Sequence, residues 1–507
     1  MPSNPGNRTP IWDRVPHRAG RGPVTADTTV DVCVVGAGIA GLSVAYHLAV
    51  EGRTVLVLER DSIGAGESSR TTAHLTSVLD DRYTEIERLH GADGARLAVE
   101  SHTAAIDDIE RIVATEGIAC EFERRDGYLF APPGGDHRVF DDELDATRRA
   151  GMPDVAKVER APLRSYDTGA CLKFGRQAQF HPTKYLAGLA DAIERHGGRI
   201  CLQSPADDIS GGDVATVRTG THVTTARAVV VATNTPINDR VTMHTKQAAY
   251  RTYVIGLSVP RGAVPPALFW DTADPYHYAR LTRGEDAEDV LIVGGEDHKT
   301  GQADEDIDRF ARLESWAAER LGSVGAVRYA WSGQVLEPID ALGFIGPNPG
   351  DAPNVFIATG HSGNGMTYGA IAGLLLSDLV LGRDHRWASL YAPGRITLRA
   401  APEFAGENLN VAAQYASLLT GGDIDNPDRL RAGQGAVIRR GATKIAVYRD
   451  PGGHLHEFGA LCPHLGCVVQ WNAVEKSWDC PCHGSRFAAT GEVLNGPSPV
   501  GLRKTSS

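Results

Sequence analysis

The 507-residue chain has little methionine (4), little cysteine (8) and no excess of positive charge. Lysine and arginine number 51 against 63 aspartates and glutamates, a formal net charge of −12. That balance argues against nucleic acid or an anionic membrane as the main partner. Long apolar runs are missing too. The longest candidate, residues 370–381, is broken by Ser377 and Asp378 and falls short of the roughly 18 apolar residues of a membrane span. The opening segment, 1–28, is polar and rich in proline, glycine and arginine, with no apolar core of signal-peptide length and no Arg-Arg pair ahead of one. The expectation is a cytoplasmic protein of two or three domains with no membrane partner.

The few cysteines are unevenly placed. Cys33, Cys120, Cys171 and Cys201 are scattered and read as inert core residues. Cys462, Cys467, Cys480 and Cys482 fall within 21 residues, a density that points to metal or redox chemistry.

What is present begins with an apolar strand pattern at 30–35, then Gly36-Ala37-Gly38-Ile39-Ala40-Gly41, a helical stretch through His47 and Leu48, and a second strand at 54–58 ending on Glu59. Gly-x-Gly-x-x-Gly in a strand–helix frame, with an acid 21 residues beyond Gly38, is a dinucleotide-binding βαβ unit. Gly36 permits the turn, Gly38 lets backbone approach a pyrophosphate, and Gly41 lets the helix pack on the strand. The helix N-terminus favours the phosphates, and Glu59 can accept from a ribose hydroxyl. A glycine-rich turn without a ligand is the bland alternative, and the complete frame disfavours it. Further buried strands are expected at 228–233 and 355–359, with helices at 186–195 and 369–381. Residues 394–425 read as a connector holding a short helix at 407–419. From Leu430 the pattern changes to short strands at 436–439, 444–448, 471–478 and 487–488, a small all-β module.

That module contains Cys462-Pro-His464-Leu-Gly-Cys467 and, with 15 residues between His464 and Cys480, Cys480-Pro-Cys482-His483-Gly-Ser485. A Rieske [2Fe–2S] centre takes two Cys on one iron and two His on the other, and two such loops supply one of each. The expected ligands are Cys462, His464, Cys480 and His483. Zinc is the competing reading; the Cys-x-His first pair and the glycine after each pair favour the cluster.

Two resemblances extend this reading. Glu59-Arg60-Asp61-Ser62-Ile63-Gly64-Ala65-Gly66-Glu67-Ser68-Ser69-Arg70-Thr71-Thr72 resembles the D-amino-acid oxidase family of flavoproteins. So do Phe180-His181-Pro182-Thr183, residues 228–234 including Thr233, and residues 357–367, where Gly360, Gly363, Gly365, Met366 and Thr367 look like the segment that faces the flavin ring. The resemblance covers about 29–392. It implies an α/β FAD-binding Rossmann-like fold built from about 29–80, 180–238 and 330–392, with an α+β substrate domain from about 85–178 and 240–328. A linker at 393–424 and a Rieske domain at 425–507 follow. The all-β module resembles respiratory Rieske proteins. That resemblance implies a Cys467–Cys482 disulfide, uncommon in the cytoplasm, and a covering loop at Gly496-Pro497-Ser498-Pro499. Those proteins carry a Ser and a Tyr after the second loop; Ser485 keeps the first, and Phe487 replaces the second. Fewer hydrogen bonds to the cluster imply a lower reduction potential.

No second framed Gly-x-Gly-x-x-Gly exists, so reduction by an organic substrate is expected rather than by NAD(P)H. Some relatives attach FAD through a histidine near His74; its spacing from Glu59 differs, and non-covalent FAD is expected. His361 could line the active site or be an ordinary packed histidine. Arg251 could anchor a substrate carboxylate or be a surface charge. Trp331 reads as core. The combination resembles bacterial FAD-dependent oxidoreductases with a C-terminal Rieske domain. It implies a dehydrogenase that oxidises an amine or amino acid by hydride transfer to flavin and passes electrons singly to the cluster and an external acceptor, a protein being one option. A Rieske oxygenase is disfavoured because no two-His-one-carboxylate iron motif is found. A non-enzymatic redox sensor or electron-transfer protein, and a flavin reductase fed by the cluster, are the other readings.

Overall fold

The computed structural model describes residues 9–505, apart from 13–14, 16–20, 239–240, 303–306 and 323. Its centre is the apolar, β-branched strand Thr28–Val35. Val55–Leu58 and His222–Val231 pair with it in parallel, one on each side. Val355–Thr359 and Arg199–Cys201 continue the sheet outward, again in parallel, and Phe344–Pro347 closes one edge antiparallel. The sheet has eight strands among the described residues. Its central strands are buried, as a parallel sheet covered on its faces requires. The helices Ile39–Val50 and Gly365–Val380 pack closely together on it, and Gly41 permits the first helix to sit where a Cβ would overlap the Gly36 carbonyl oxygen.

A second, nine-stranded sheet runs Val327–Pro338, Gln247–Pro260, Glu288–Lys299, His277–Arg283, Leu268–Asp271, Glu123–Phe130, Cys171–Gln179, His74–Leu75, with Val155–Val158 beside Cys171–Gln179. The strand Val327–Pro338 pairs along its length with Gln247–Pro260. Residues 330–338, expected with the flavin-binding part, therefore belong to this second sheet rather than to the parallel one. The polar opening segment is partly anchored. Trp12 is buried and donates to the Thr71 carbonyl at 2.7 Å, and Arg21 is buried between Asp191 and Glu194.

The connector carries the helix Ala401–Gln414, which has no buried residue. The all-β module has a three-stranded sheet, Gln434–Arg440, Thr443–Arg449 and Leu455–Gly459, and a four-stranded one, Gln470–Asn472, Ser477–Asp479, Arg486–Ala488 and Val493–Asn495. The single strand expected at 471–478 is a hairpin of the first two of these four strands. Among the described residues no helix is long and apolar enough to cross a membrane.

The module docks on the second sheet through buried charge. Arg251, fully buried, donates to both carboxylate oxygens of Glu475 at 3.0 and 2.7 Å, and also to Ser332. Arg486 reaches the same Glu475 at 3.0 Å and Asp479 at 2.9 Å. Glu475 is held well below the usual carboxylate range by Arg251 first and Arg486 second, against the opposing effect of its burial. Removing one partner from such a group strands a buried charge. Glu475→Ala is expected to destabilise the protein by about 3 kcal/mol, read as a lower denaturation midpoint. An unchanged midpoint would show that the ion group does not hold the module.

Candidate cofactor cleft and metal centre

A cavity of about 790 Å³ runs between the parallel sheet, the second sheet and the C-terminal module, within the range of roughly 300–1,000 Å³ typical of ligand clefts. The first strand–turn–helix forms one end. Gly36, Gly38, Ile39, Ala40, Glu59 and Arg60 line it, with Arg70, Thr71, Thr72 and Thr233 further along. Glu59 is fixed by two backbone donors, Ala37 N–H to Oε2 at 2.8 Å and Asp61 N–H to Oε1 at 2.9 Å. Burial raises its pKa, while those two bonds work the other way.

Five predicted residues shape the cleft without lining it. Ala37 positions Glu59, and Gly41 sets the helix. Ser69 donates to the Gly66 carbonyl at 3.2 Å. Thr367 donates to the Asn364 carbonyl at 3.0 Å. Gly360 takes a left-handed turn against Phe344 and Gln247.

The opposite end is aromatic. Trp270, Tyr276, Tyr278 and Trp331 line it with His74, Asp80, Thr252 and residues 361–366. Trp331, expected as core, is buried and also walls the cleft, donating to the Arg70 carbonyl at 2.8 Å. His361 stacks on Tyr368 at 5.5 Å, and burial pushes its pKa down to about 4, so it is neutral near pH 7. Burial and the nearby Arg280 take His74 down to about 3. Three buried atoms on this wall have no hydrogen-bond partner, His74 Nε2, His361 Nε2 and Asn364 Oδ1. The glycine-lined turn, where a Cβ on Gly36 would meet the Ala232 carbonyl oxygen, and the fixed ribose-type acid fit a bound dinucleotide. Arg251 does not line the cavity. The substrate-anchor expectation meets a guanidinium already committed to Glu475.

The four predicted cluster residues come together. Cys462 and Cys480 are hydrogen-bonded neighbours, and the His464 and His483 rings lie 5.0 Å apart. The two loops repeat one backbone pattern. Cys462 N–H bonds Cys467 O at 2.8 Å and Gly466 N–H returns to Cys462 O at 2.9 Å; Cys480 N–H bonds Ser485 O at 2.8 Å and Gly484 N–H returns to Cys480 O at 3.1 Å. Gly466 and Gly484 both have left-handed φ, +81° and +78°, which explains a glycine at that place in each loop. Two sulfurs and two imidazoles at one point form the donor set of a Rieske cluster.

Cys467 and Cys482 form the implied disulfide, with Cα atoms 6.4 Å apart. Their sulfurs also lie near Cys480, but sulfurs bonded to each other are not thiolate ligands. The Ser485 hydroxyl bonds the Cys462 sulfur, as do the backbone N–H groups of His464 and Leu465. Phe487 is fully buried and brings no hydroxyl.

The cleft and the cluster meet. Residues 493–496 and 498–500 of the module line the cavity, with Glu475 and Arg486. Gln334, also a lining residue, donates through Nε2 to the Gly484 carbonyl at 2.9 Å, one residue from His483. His244 packs edge-on against His464 at 4.8 Å and lies 5.9 Å from His483. Asp80, Gln334 and His244 carry no motif; only the pairing of strands distant in sequence brings them to these positions.

Residues 31–379 match the family model for FAD dependent oxidoreductases, and residues 422–506 match that for the Rieske [2Fe-2S] domain. The YhfW protein of Bacillus subtilis (strain 168), named for a Rieske 2Fe-2S iron-sulfur centre, is 33% identical over 485 residues, covering 94% of each chain. Gamma-glutamylputrescine oxidoreductase of Escherichia coli (strain K12) is 28% identical over 374 residues, 71% of this chain and 85% of that one. The crystal structure of glycine oxidase from Geobacillus kaustophilus superposes with a TM-score of 0.59 at 20% identity, over 73% of this chain and 99% of that one. FAD and a [2Fe–2S] cluster are accordingly the cofactors.

The hydrogen bonds around the sulfurs set the cluster's potential. With Phe487 in place of tyrosine, it is expected below that of respiratory Rieske proteins. Ser485→Ala should lower it further by on the order of 60 mV, about 1.4 kcal/mol for one electron. A redox titration giving a value at or above the respiratory ones, or no shift in the variant, overturns this account.

Proposed function

Because the chain belongs to the FAD dependent oxidoreductase family and carries a Rieske [2Fe-2S] domain after that part, we propose that it is a dehydrogenase of amines or amino acids whose electrons leave through the cluster to an external acceptor, in the cytoplasm. FAD supplies the chemistry, accepting a hydride equivalent from the C–H bond beside the substrate nitrogen, and the protein orients the reactants. The names of the relatives, a gamma-glutamylputrescine oxidoreductase and a glycine oxidase, support a C–N substrate.

The observation that carries the reading is the shared wall. Gln334 faces the cleft and holds the loop of His483, and the module's own residues 493–500 close the same cavity. The protein therefore keeps its cluster loops against the cleft rather than on a distant arm. The residues at the aromatic end exclude water from the reacting centre and hold His361 neutral, so no extra positive charge sits there. The predicted FAD contacts, Gly36 to Gly41, Glu59 to Thr72, Thr233 and 360–367, and the cluster ligands Cys462, His464, Cys480 and His483, belong to this proposal.

Anaerobic mixing of the holoenzyme with alkylamines and amino acids tests it. The expected course is bleaching of the flavin absorbance followed by the EPR signal of a reduced cluster. In His483→Ala the flavin should still bleach and the signal should be missing. No bleaching by any amine or amino acid would leave the sensor reading in its place. Loss of flavin absorbance only when the cluster is reduced first would reverse the direction of flow.

A further inference from the structure

We propose that the aromatic end of the cleft recognises its substrate as an ammonium ion with no carboxylate beside the reacting carbon, and that Asp80 supplies the counter-charge. This deepens the dehydrogenase reading and rests on it for the identity of the cleft.

Asp80 is open to the cavity but enclosed by the surrounding protein. Its carboxylate accepts from the Tyr276 hydroxyl at 3.4 Å and from the Gly363 N–H. Enclosure raises its pKa to about 6, so it is ionised near pH 8. Asp297 lies behind Thr252 and Glu337 behind Ser362; burial first, and the charge of Asp80 further, raise the pKa of both, so that they favour their neutral form beside it.

A second observation points to a donor-rich ligand. Asn364 is 5% exposed and lines the same end, and its Oδ1 has no partner, although its Nδ2 donates to the Val78 carbonyl at 3.3 Å. The neutral His361, 9% exposed, also offers an unpartnered Nε2 there. An unpartnered buried acceptor costs free energy until a donor meets it. The Tyr276 and Tyr278 rings, 5.7 Å apart, with Trp270, present π faces that attract a cation.

Among the described residues no lysine lines the cavity, and its lining arginines are Arg60, Arg70 and Arg486. Arg70, beside Trp331, donates to the Ser332 carbonyl at 3.0 Å, Arg486 is paired with Asp479 and Glu475, and Arg60 follows the ribose acid; no lysine or arginine pairs with Asp80 among the described residues. An α-carboxylate would face Asp80 with no bidentate cation to receive it.

Two inert probes of one shape separate the charges. tert-Butylammonium has no hydrogen on the carbon beside nitrogen and cannot be oxidised there; pivalate is its carboxylate counterpart. Titrated into the holoenzyme at about pH 8, tert-butylammonium should perturb the flavin spectrum with saturation, and pivalate should not. Asp80→Asn should weaken the ammonium probe about tenfold or more. Should that variant lose its flavin, the comparison of the two probes on the unaltered protein decides alone. Saturation by pivalate, no saturation by tert-butylammonium, or an unaltered affinity in a flavin-loaded Asp80→Asn overturns the proposal. If the ammonium probe binds and no amine bleaches the flavin, the site stands and the dehydrogenase reading fails. If amino acids bleach it and simple amines do not, the dehydrogenase stands and this site assignment fails.

Discussion

Glu475 between Arg251 and Arg486 is the contact on which the arrangement of the two cofactor sites depends. One carboxylate on a hairpin of the Rieske module meets one guanidinium from the second sheet and one from its own module. None of the three could be buried alone, since an isolated ion in a low-dielectric interior loses its hydration without return. Together they form a group that is complete only when the module is seated and Arg251 meets Glu475. Apolar contact slides; this one fixes a register. It brings the strand Val493–Asn495 and the turn after it onto the cleft, where Asn495 donates to Glu67 at 2.6 Å and Glu67 in turn receives the Gln334 N–H at 2.7 Å. The wall of the cleft is therefore built by both domains.

The same seating decides what surrounds the cluster. Gly484, which the loop needs for its left-handed turn, lies against Ala249 and Gln334, so a side chain there would push the module away as well as strain the loop. His244, just ahead of the strand Gln247–Pro260, packs against His464 and lies near His483. Hydrogen bonds to the sulfurs come from the loops' own backbone and from Ser485. Tuning is thus local to the module, while placement is shared with the domain beneath it.

Local chemistry was legible in the sequence, and assembly was not. The strand, glycine turn and helix from Thr28 to Val50 and the two Cys/His loops are contiguous, and their residues act through backbone shape, which spacing records. Arg251 reads as a lone charge because its partner is 224 positions away. Residues 330–338 read as part of the flavin-binding fold because the family resemblance groups them with the segment up to 392; only pairing with Gln247–Pro260 assigns them to the second sheet. Trp331 shows that core and pocket are one property where a core borders a cavity. The hairpin at Gln470–Asn472 and Ser477–Asp479 was hidden because two of its four turn residues, Ala473 and Val474, are apolar and read as a continuing strand.

The charge within the cleft follows from the same division. At the dinucleotide end the acid is Glu59, and its two oxygens are occupied by backbone N–H groups. It is a fixed acceptor for a hydroxyl and no trap for a cation. At the aromatic end Asp80 faces the cavity and receives the Tyr276 hydroxyl and the Gly363 N–H, with no lysine or arginine paired to it among the described residues. Arg251 is committed to Glu475 behind the wall, Arg486 to Glu475 and Asp479, and Arg70 donates to the Ser332 carbonyl. Docking the Rieske module therefore does more than bring the cluster to the cleft. The charges it brings to the wall, Arg486 and Glu475, arrive paired with each other and leave Asp80 without a counter-ion, a condition that suits an ammonium and opposes a carboxylate.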